Sequence, residues 1–429
     1  MRFISILPTS GGLQVAAWAA LALCALFKST SAQLPEALRR SVVAAKIHYP
    51  ALQPIKYWVD AARAEKITAA LRPNPAFNLQ ELLTLRRRDQ NPDFGYFSGA
   101  QRQDWLQFTK ELNVFGQRKR RIDVAERQIS AAQVEIELAE NEAMFVAGML
   151  WLEALDLHWQ SRLLERALQN MDSVVQINEV RLRNLVVTAI EVERTLVSRR
   201  DFANRLAFVR AELENVKGAL RVFTGPNAVF EFPDVPPAPP VPLDAANLDS
   251  LAQGVYELHP MLKAARAERE TAVADLALQR ALAKPVLEAG FIINPQNAVP
   301  YAGLYFNVPI PVFDRNQGNI AGADVRIRQA ESEIESRGKI FAAELARLAG
   351  AMRLKRQNLD LARELVQQNE KIIAAIRYGY LKGGTTLIDY LGAQDVWFDS
   401  IEKYNQAGVA YLKDYFDFYY QSGILTTLE

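Results

Sequence analysis

Tyr301-Ala-Gly-Leu-Tyr-Phe-Asn-Val-Pro-Ile-Pro-Val-Phe313-Asp-Arg-Asn-Gln-Gly-Asn-Ile320 joins two kinds of chain. Its first half alternates, with Ala302, Leu304, Phe306, Val308 and Ile310 on one face and Tyr301, Gly303, Tyr305 and Asn307 on the other. That is the period of a strand. A second candidate strand, Val286–Ile293, precedes it across Asn294-Pro-Gln-Asn-Ala-Val-Pro300. Upstream, Phe77, Leu79, Leu83 and Leu85 alternate in the same way, with Glu81 as the exception. Strands of about ten residues cross a bilayer when tilted. Soluble hairpins packed on helices satisfy the same pattern.

The second half of the motif opens a proline-free region that runs from Val312 to Glu429, and a similar one runs from Asp93 to Gly225. Both are filled with Ala, Leu, Glu, Arg, Gln and Lys, the strong helix formers. Apolar residues recur at steps of three and four, as in Ile122, Ala125, Ile129, Ala132 and Ile136. The first region holds helix of about 65 residues, or roughly 100 Å, before any turn. Such lengths point to coiled-coil packing. Between the two regions, Gly225–Pro242 is dense in proline and reads as an extended linker.

The two halves resemble each other. Phe115-Gly-Gln-Arg-Lys-Arg-Arg-Ile122 and Phe313-Asp-Arg-Asn-Gln-Gly-Asn-Ile320 are separated by a fixed offset that also relates Glu135-Ile-Glu137 to Glu333-Ile-Glu335, Thr188-Ala-Ile190-Glu191 to Thr386-Leu-Ile388-Asp389, and Gly225 to Gly423. Further upstream Pro50, Ala62, Ala64 and Pro75 match Pro260, Ala272, Ala274 and Pro285 at a longer offset, which places an insertion near Arg88–Tyr96. The expected plan is 33–225 as a first repeat, 226–246 as linker, 247–423 as a second repeat and 424–429 as a tail. Each repeat has a helix (Ala37–Ala70; Leu248–Ala283), two strands and a long helical hairpin.

At the N-terminus, Arg2, the apolar stretch Leu13–Phe27 and the small residues around Thr30 and Ala32 give the pattern of a signal peptide over 1–32. Leu23 ahead of Cys24 is unlike the small residue that lipidation requires. Fifty Lys and Arg face forty-nine Asp and Glu, which argues against nucleic-acid binding. One cysteine and three histidines supply neither a disulfide framework nor a metal-ligand cluster. No catalytic constellation is visible and no cofactor is implied.

Four strands are too few to close a membrane barrel, whose minimum is about eight. An open sheet in lipid leaves unsatisfied edges that cost several kcal/mol per group. Export, membrane-length strands and a twofold repeat are reconciled when chains share a barrel, three of them supplying twelve strands.

On Val308–Ile320, and on Tyr378-Gly-Tyr-Leu-Lys-Gly383-Gly-Thr-Thr-Leu-Ile-Asp389-Tyr-Leu-Gly-Ala393, the chain resembles the TolC-type outer-membrane efflux proteins. The Phe-Asp-Arg-Asn-Gln-Gly string, with Glu111 ahead of Phe115 in the first half, is similar to the CzcC-like, heavy-metal branch. The resemblance implies a mainly α chain with a small β part. Long helices would build an α-helical barrel in the periplasm and four strands per chain a shared twelve-stranded outer-membrane barrel. It implies a homotrimer in outer-membrane lipid that docks on a periplasmic adaptor and an inner-membrane RND-type pump. Such a channel passively conducts substrate, here divalent metal cations; drug export, type I secretion and a soluble periplasmic adaptor are the rivals.

By motif position, Tyr380 and Asp389, with Glu191 in the first half, fall at the gate and ion-selectivity positions. Asn184, Thr188, Gly383, Gly384 and Thr386 form the helical tips. Phe115, Gly116, Phe313, Asp314, Arg315 and Gly318 form the strand-to-helix junctions. Gly392 stands where the family often has a second acidic residue, so a doubled acidic ring is not expected. Asp389 also suits a helix cap. Arg118–Arg121 reads as a solvated helix face or a contact with lipid phosphates. Trp151, Trp159 and Trp397 read as packing, Trp105, Tyr301 and Tyr305 as an interfacial girdle, and Tyr411–Tyr420 as helix core.

Overall fold

The computed structural model describes residues 34–83, 102–237, 255, 257–295 and 300–428. The proposed signal peptide, the insertion around Arg88–Tyr96 and most of the linker lie outside them. Elements follow in the order α1 (Glu36–His48), α2 (Leu52–Ala70), β1 (Ala76–Leu83), β2 (Arg102–Leu112), α3 (Gln117–Arg183), α4 (Ala189–Thr224), α5 (Pro260–Leu282), β3 (Leu287–Asn294), β4 (Tyr301–Asn307), α6 (Gln317–Lys382) and α7 (Leu387–Gln421). A short 3-10 turn, Ile424–Thr427, ends the described chain. The chain is thus mainly helical with four strands, and α3 and α6 run for 67 and 66 residues.

Several expected boundaries move, each for a local reason. The single helix expected over Ala37–Ala70 is two helices. Tyr49, ahead of Pro50, is extended at ψ 116°, as sterics before a proline require. In the second half His259-Pro260 marks the corresponding start, with Pro260 in the first turn of α5 where its missing N–H costs nothing. Of the expected Leu248–Ala283 helix, 248–254 lie outside the described residues. Strand β4 stops at Asn307 rather than Ile310, because Pro309 and Pro311 have no donor for a ladder. The linker's first part is not loose chain: the Trp159 indole Nε1 donates to the Pro233 carbonyl at 2.6 Å, and the Phe232 ring lies 5.5 Å from Trp151.

The chain divides into two compact units. One comprises the described residues of 1–55, 136–263 and 336–429. Its core is an aromatic seam of α7, in which Tyr411, Tyr415, Phe416, Phe418 and Tyr419 are fully buried against Leu38 and Val42 of α1 and Met144, Ala147 and Trp151 of α3. Gly148 admits Phe416 so closely that a Cβ there would stand 2.1 Å from the ring. A second cluster joins Leu163, Leu164 and Met171 to Phe202, Leu206, Trp397 and Phe398. The three helical tryptophans named above are therefore packing residues, and the C-terminal aromatic cluster is core.

The other unit comprises 56–135 and 264–335. It holds one antiparallel sheet in the order β1-β2-β3-β4. The register sets Phe77, Phe108, Phe291 and Leu304 in one row across all four strands, and Leu79, Leu106, Ile293 and Ala302 in another.

Candidate functional site

Three places carry the positions singled out from the sequence. The first is the pair of helical turns. Arg183 ends α3 and Lys382 ends α6; each is followed by a left-handed residue, Leu185 at φ 56° and Gly383 at φ 80°. Glycine takes that conformation freely, whereas leucine adopts it at a steric cost. Each returning helix then opens on a reciprocal capping box. Thr188 Oγ1 accepts from the Glu191 N–H while the Glu191 carboxylate accepts from the Thr188 N–H at 2.7 Å; Thr386 and Asp389 repeat this, at 3.0 Å for the Thr386 N–H. The hydroxyl of Thr386 also donates to Asp389 at 2.7 Å. Hydrogen bonds from the Thr386 side chain and backbone hold the Asp389 carboxyl below its usual range. The Thr188 backbone and hydroxyl do the same for Glu191. The capping role expected for Asp389 is realised, and both carboxylates are exposed and ionised.

The two hairpins are tied together beneath these turns. Tyr380 is 3% exposed, and its hydroxyl donates to Asn178 Oδ1 of α3. The Asn178 amide donates to Thr195 Oγ1 at 3.0 Å, and Thr195 donates to the Glu191 carbonyl at 2.9 Å. Arg181 donates to the Tyr380 carbonyl at 2.6 Å and lies 4.5 Å over its ring. A cation here neutralises the carbonyls that end α6. Tyr390 stacks on Tyr380 at 5.5 Å between ring centres. Tyr380 is therefore a buried bridge within one chain. Asn178, Arg181, Thr195 and Tyr390 escaped the sequence reading. The only signal they leave is a buried Asn in an otherwise apolar helical stripe.

The second place is the sheet. One face carries the Phe77 and Leu79 rows and Phe306, with Lys110 toward one end and the Glu81–Asp104 pair toward the other; the opposite face carries Asn78, Gln80, Gln107, Thr109, Glu111, Glu288 and Asn307 together with Trp105, Ile292, Tyr301 and Tyr305. Glu111 and Glu288 stand directly opposite each other. Almost every side chain of β1 and β4 is exposed, the Phe77 row included. Among the described residues β1 and β4 are the free edges. Such a sheet has no apolar core of its own. Trp105, Tyr301 and Tyr305 lie on strands, but the alternation turns them to the polar face, opposite the Phe77 row, which is not where a lipid-facing girdle would stand.

The third place is the pair of junctions. Gly116 (φ 82°) precedes α3 and Asn316 (φ 58°) precedes α6. Gln117 Oε1 accepts from the Phe115 N–H, and Gln317 Oε1 accepts from the Arg315 N–H. The two junctions therefore superpose Phe115 on Arg315 rather than on Phe313, two residues away from the offset that relates the tips. Asp314 accepts from the Asn316 N–H at 2.8 Å in a tight turn. Gly318 lies inside the first turn of α6. Arg118, first of the basic run, donates to the Ala70 carbonyl at 2.7 Å and so caps α2, a use the sequence does not reveal. No described helix is long and apolar enough to cross a membrane.

Comparison with known proteins agrees with this architecture. Residues 251–415 match the outer membrane efflux protein family. The cobalt-zinc-cadmium resistance protein CzcC of Cupriavidus metallidurans is 22% identical over 327 residues, 73% of this chain and 76% of that protein. The CmeC outer membrane channel of Campylobacter jejuni shares the fold with a TM-score of 0.68 at 15% identity, over 90% of this chain and 86% of CmeC. The outer membrane protein VceC of Vibrio cholerae does so at 0.67 and 17% identity, over 90% of this chain and 96% of VceC. The resemblance to TolC-type efflux proteins, and to their heavy-metal branch, is borne out.

Proposed function

We propose that three copies of this chain form an outer-membrane channel that passes divalent metal cations outward from a periplasmic adaptor and an RND-type pump. The observation that carries the reading is the two-faced sheet with open edges. An apolar outer face, a polar inner face and two unsatisfied edges are what one segment of a shared transmembrane barrel requires. Joining β4 of one copy to β1 of the next satisfies every edge without new structure. Exposed Ile190 and Val197 on α4, and Leu354, Leu361, Leu365 and Ile372 on α6, form heptad-spaced apolar stripes that support side-by-side assembly of the helices. Tip residues Leu185, Val186, Ile190 and Ile388 are exposed and apolar, which suits an adaptor that docks end-on.

Cation transport is supported by the name of the CzcC relative and by the carboxylates themselves. Asp389 and Glu191 are held ionised at the tips, and Glu111 and Glu288 share the polar face. Repeated three times around an axis, these groups draw cations and repel anions. Tyr380, in the last turn of α6 beside the second tip, joins the two hairpins and so governs how far the tips part. Purified protein in planar bilayers tests the reading: trimer-sized, cation-selective conductance is expected. Asp389→Asn should lower that selectivity, and unchanged selectivity excludes the tip ring. A water-soluble monomer that never enters bilayers defeats the whole proposal.

A further inference from the structure

The helices of the strand-bearing unit lie in the order of their strands. Ion pairs fasten α2 to α3 (Lys66–Glu126, 2.9 Å), α3 to α5 (Arg127–Glu270, 2.7 Å) and α5 to α6 (Arg269–Glu331, 2.8 Å). Because α2 leads into β1 and α6 leaves β4, the helical layer ends on α2 and α6 as the sheet ends on β1 and β4. Both outer helices carry exposed apolar residues, Tyr57 and Ile67 on α2 and Val325 on α6.

The repeat shows what fits against them. By the offset that relates Ile122 to Ile320, α3 corresponds to α6, and Ala125 and Ala323 are accordingly both buried. By the offset that relates Ala62 to Ala272, α2 corresponds to α5. Within the chain α3 and α5 face each other: Asp123, Arg127 and Ser130 line one wall of their seam, and Glu270, Ala274 and Ala277 the other. Their counterparts are Ala321, Val325 and Arg328 on α6, and Asp60, Ala64 and Ile67 on α2. All six counterparts are exposed. The chain thus carries the two halves of a second seam of the same design, held apart by α3 and α5. A head-to-tail pair of surfaces of this kind closes into a ring when copies follow one another. Charge agrees. Asp60 pairs with Arg63 at 3.0 Å and Arg328 with Asp324 at 3.1 Å, each on its own helix, and such exposed pairs are weak enough to exchange.

We infer that α6 of a second copy covers α2, in the register that α3 and α5 keep within the chain. With α2 running toward the sheet and α6 away from it, that register sets Ala64 against Ala321 and Val325 beside Asp60. Arg328 then lies over the Tyr57 ring, within reach of the Asp60 carboxylate. The small side chains of Ala64 and Ala321 let the two backbones approach. The inference rests on β4 and β1 of successive copies joining into one barrel.

The test uses the full chain with Cys24→Ser, extracted in detergent as the assembled channel. Ala64→Cys with Ala321→Cys should oxidise to covalent trimers on non-reducing gels, since facing positions come within disulfide distance. Either replacement alone should leave monomers. Ile67→Cys with Arg328→Cys, roughly 15 Å out of register, should link far more slowly. Asp60→Arg should lower the assembled fraction at least about fivefold, and Arg328→Asp in the same chain should restore it. Native mass spectrometry counts the copies in each sample. Trimers that never cross-link through Ala64→Cys and Ala321→Cys, or a charge reversal that the second replacement does not rescue, overturn the inference and leave the channel reading standing. A disulfide that closes within one chain overturns it as well. Absence of both trimers and conductance in the unsubstituted protein defeats the channel reading, and the inference with it.

Discussion

Tyr380 shows how a single hydroxyl can hold two hairpins. Tyr380→Phe leaves Asn178 with a buried, unsatisfied oxygen, a loss of about 1 to 3 kcal/mol. Lower thermal stability with raised resting conductance in bilayers is the expected result. The tyrosine stands out in the sequence; its partner, some two hundred residues earlier, does not, because distant pairings leave no local period. His259 is a second example. It is fully buried, its Nδ1 accepts from the Met261 N–H at 3.2 Å, and its ring lies 4.1 Å from Phe341. Burial, aided by the Arg337 charge, pushes its pKa down to about 4. A depressed histidine is neutral in the fold, so its stability is complete above pH ~6.5 and drains away as pH falls toward 4. Unfolding midpoints of the wild type should drop across that window, by up to roughly 3 kcal/mol. In His259→Asn, which keeps a cap acceptor, the fall should be shallower. Nothing in the local sequence announces this histidine, because its environment is made by α6 and α7.

At the scale of elements, the sequence was most legible where one local rule acts alone. Proline-free stretches rich in helix formers became α3 and α6, and the alternating run from Tyr301 became β4; β2 carries no such alternation and is expected only from the repeat. The capping boxes were half legible. Asp389 reads as a cap from its place after Gly383-Gly-Thr-Thr, but the reciprocal Thr188–Glu191 and Thr386–Asp389 bonds appear only in three dimensions. Boundaries slipped where two rules compete, as at Pro50, where helix propensity on both sides conceals the break. The junction offset slipped because Phe115 and Phe313 look alike in sequence, whereas the left-handed residue and the glutamine that follow it set the equivalence. Packing between elements was the least legible. Gly148 reads as an ordinary small residue in a helix, yet it exists to admit the Phe416 ring. Gly148→Ala should cost about 1 to 3 kcal/mol by overpacking, despite alanine's better helix propensity. Chemical unfolding of the detergent-solubilised protein measures it.

For the whole molecule, the apolar rows of the sheet and the stripes on α4 and α6 find no cover within one chain. Leu361 is exposed, so Leu361→Glu should leave the isolated chain's fold nearly unchanged while abolishing assembly. Loss of the trimer band on native gels with preserved helical circular dichroism is the expected pair of results. The need for partner copies was legible from arithmetic alone, since four strands cannot close on themselves; which faces meet was not, because it depends on how α4 and α6 turn their stripes. The two tips carry a consequence, because they are not copies: the first bends through Leu185, 92% exposed, and returns over Glu191, whereas the second bends through Gly383 and returns over Asp389. A ring of such hairpins would repeat faithfully every third of a circle but not every sixth, and whatever grips it from below would encounter two alternating footholds, giving the complex a fixed rotational phase.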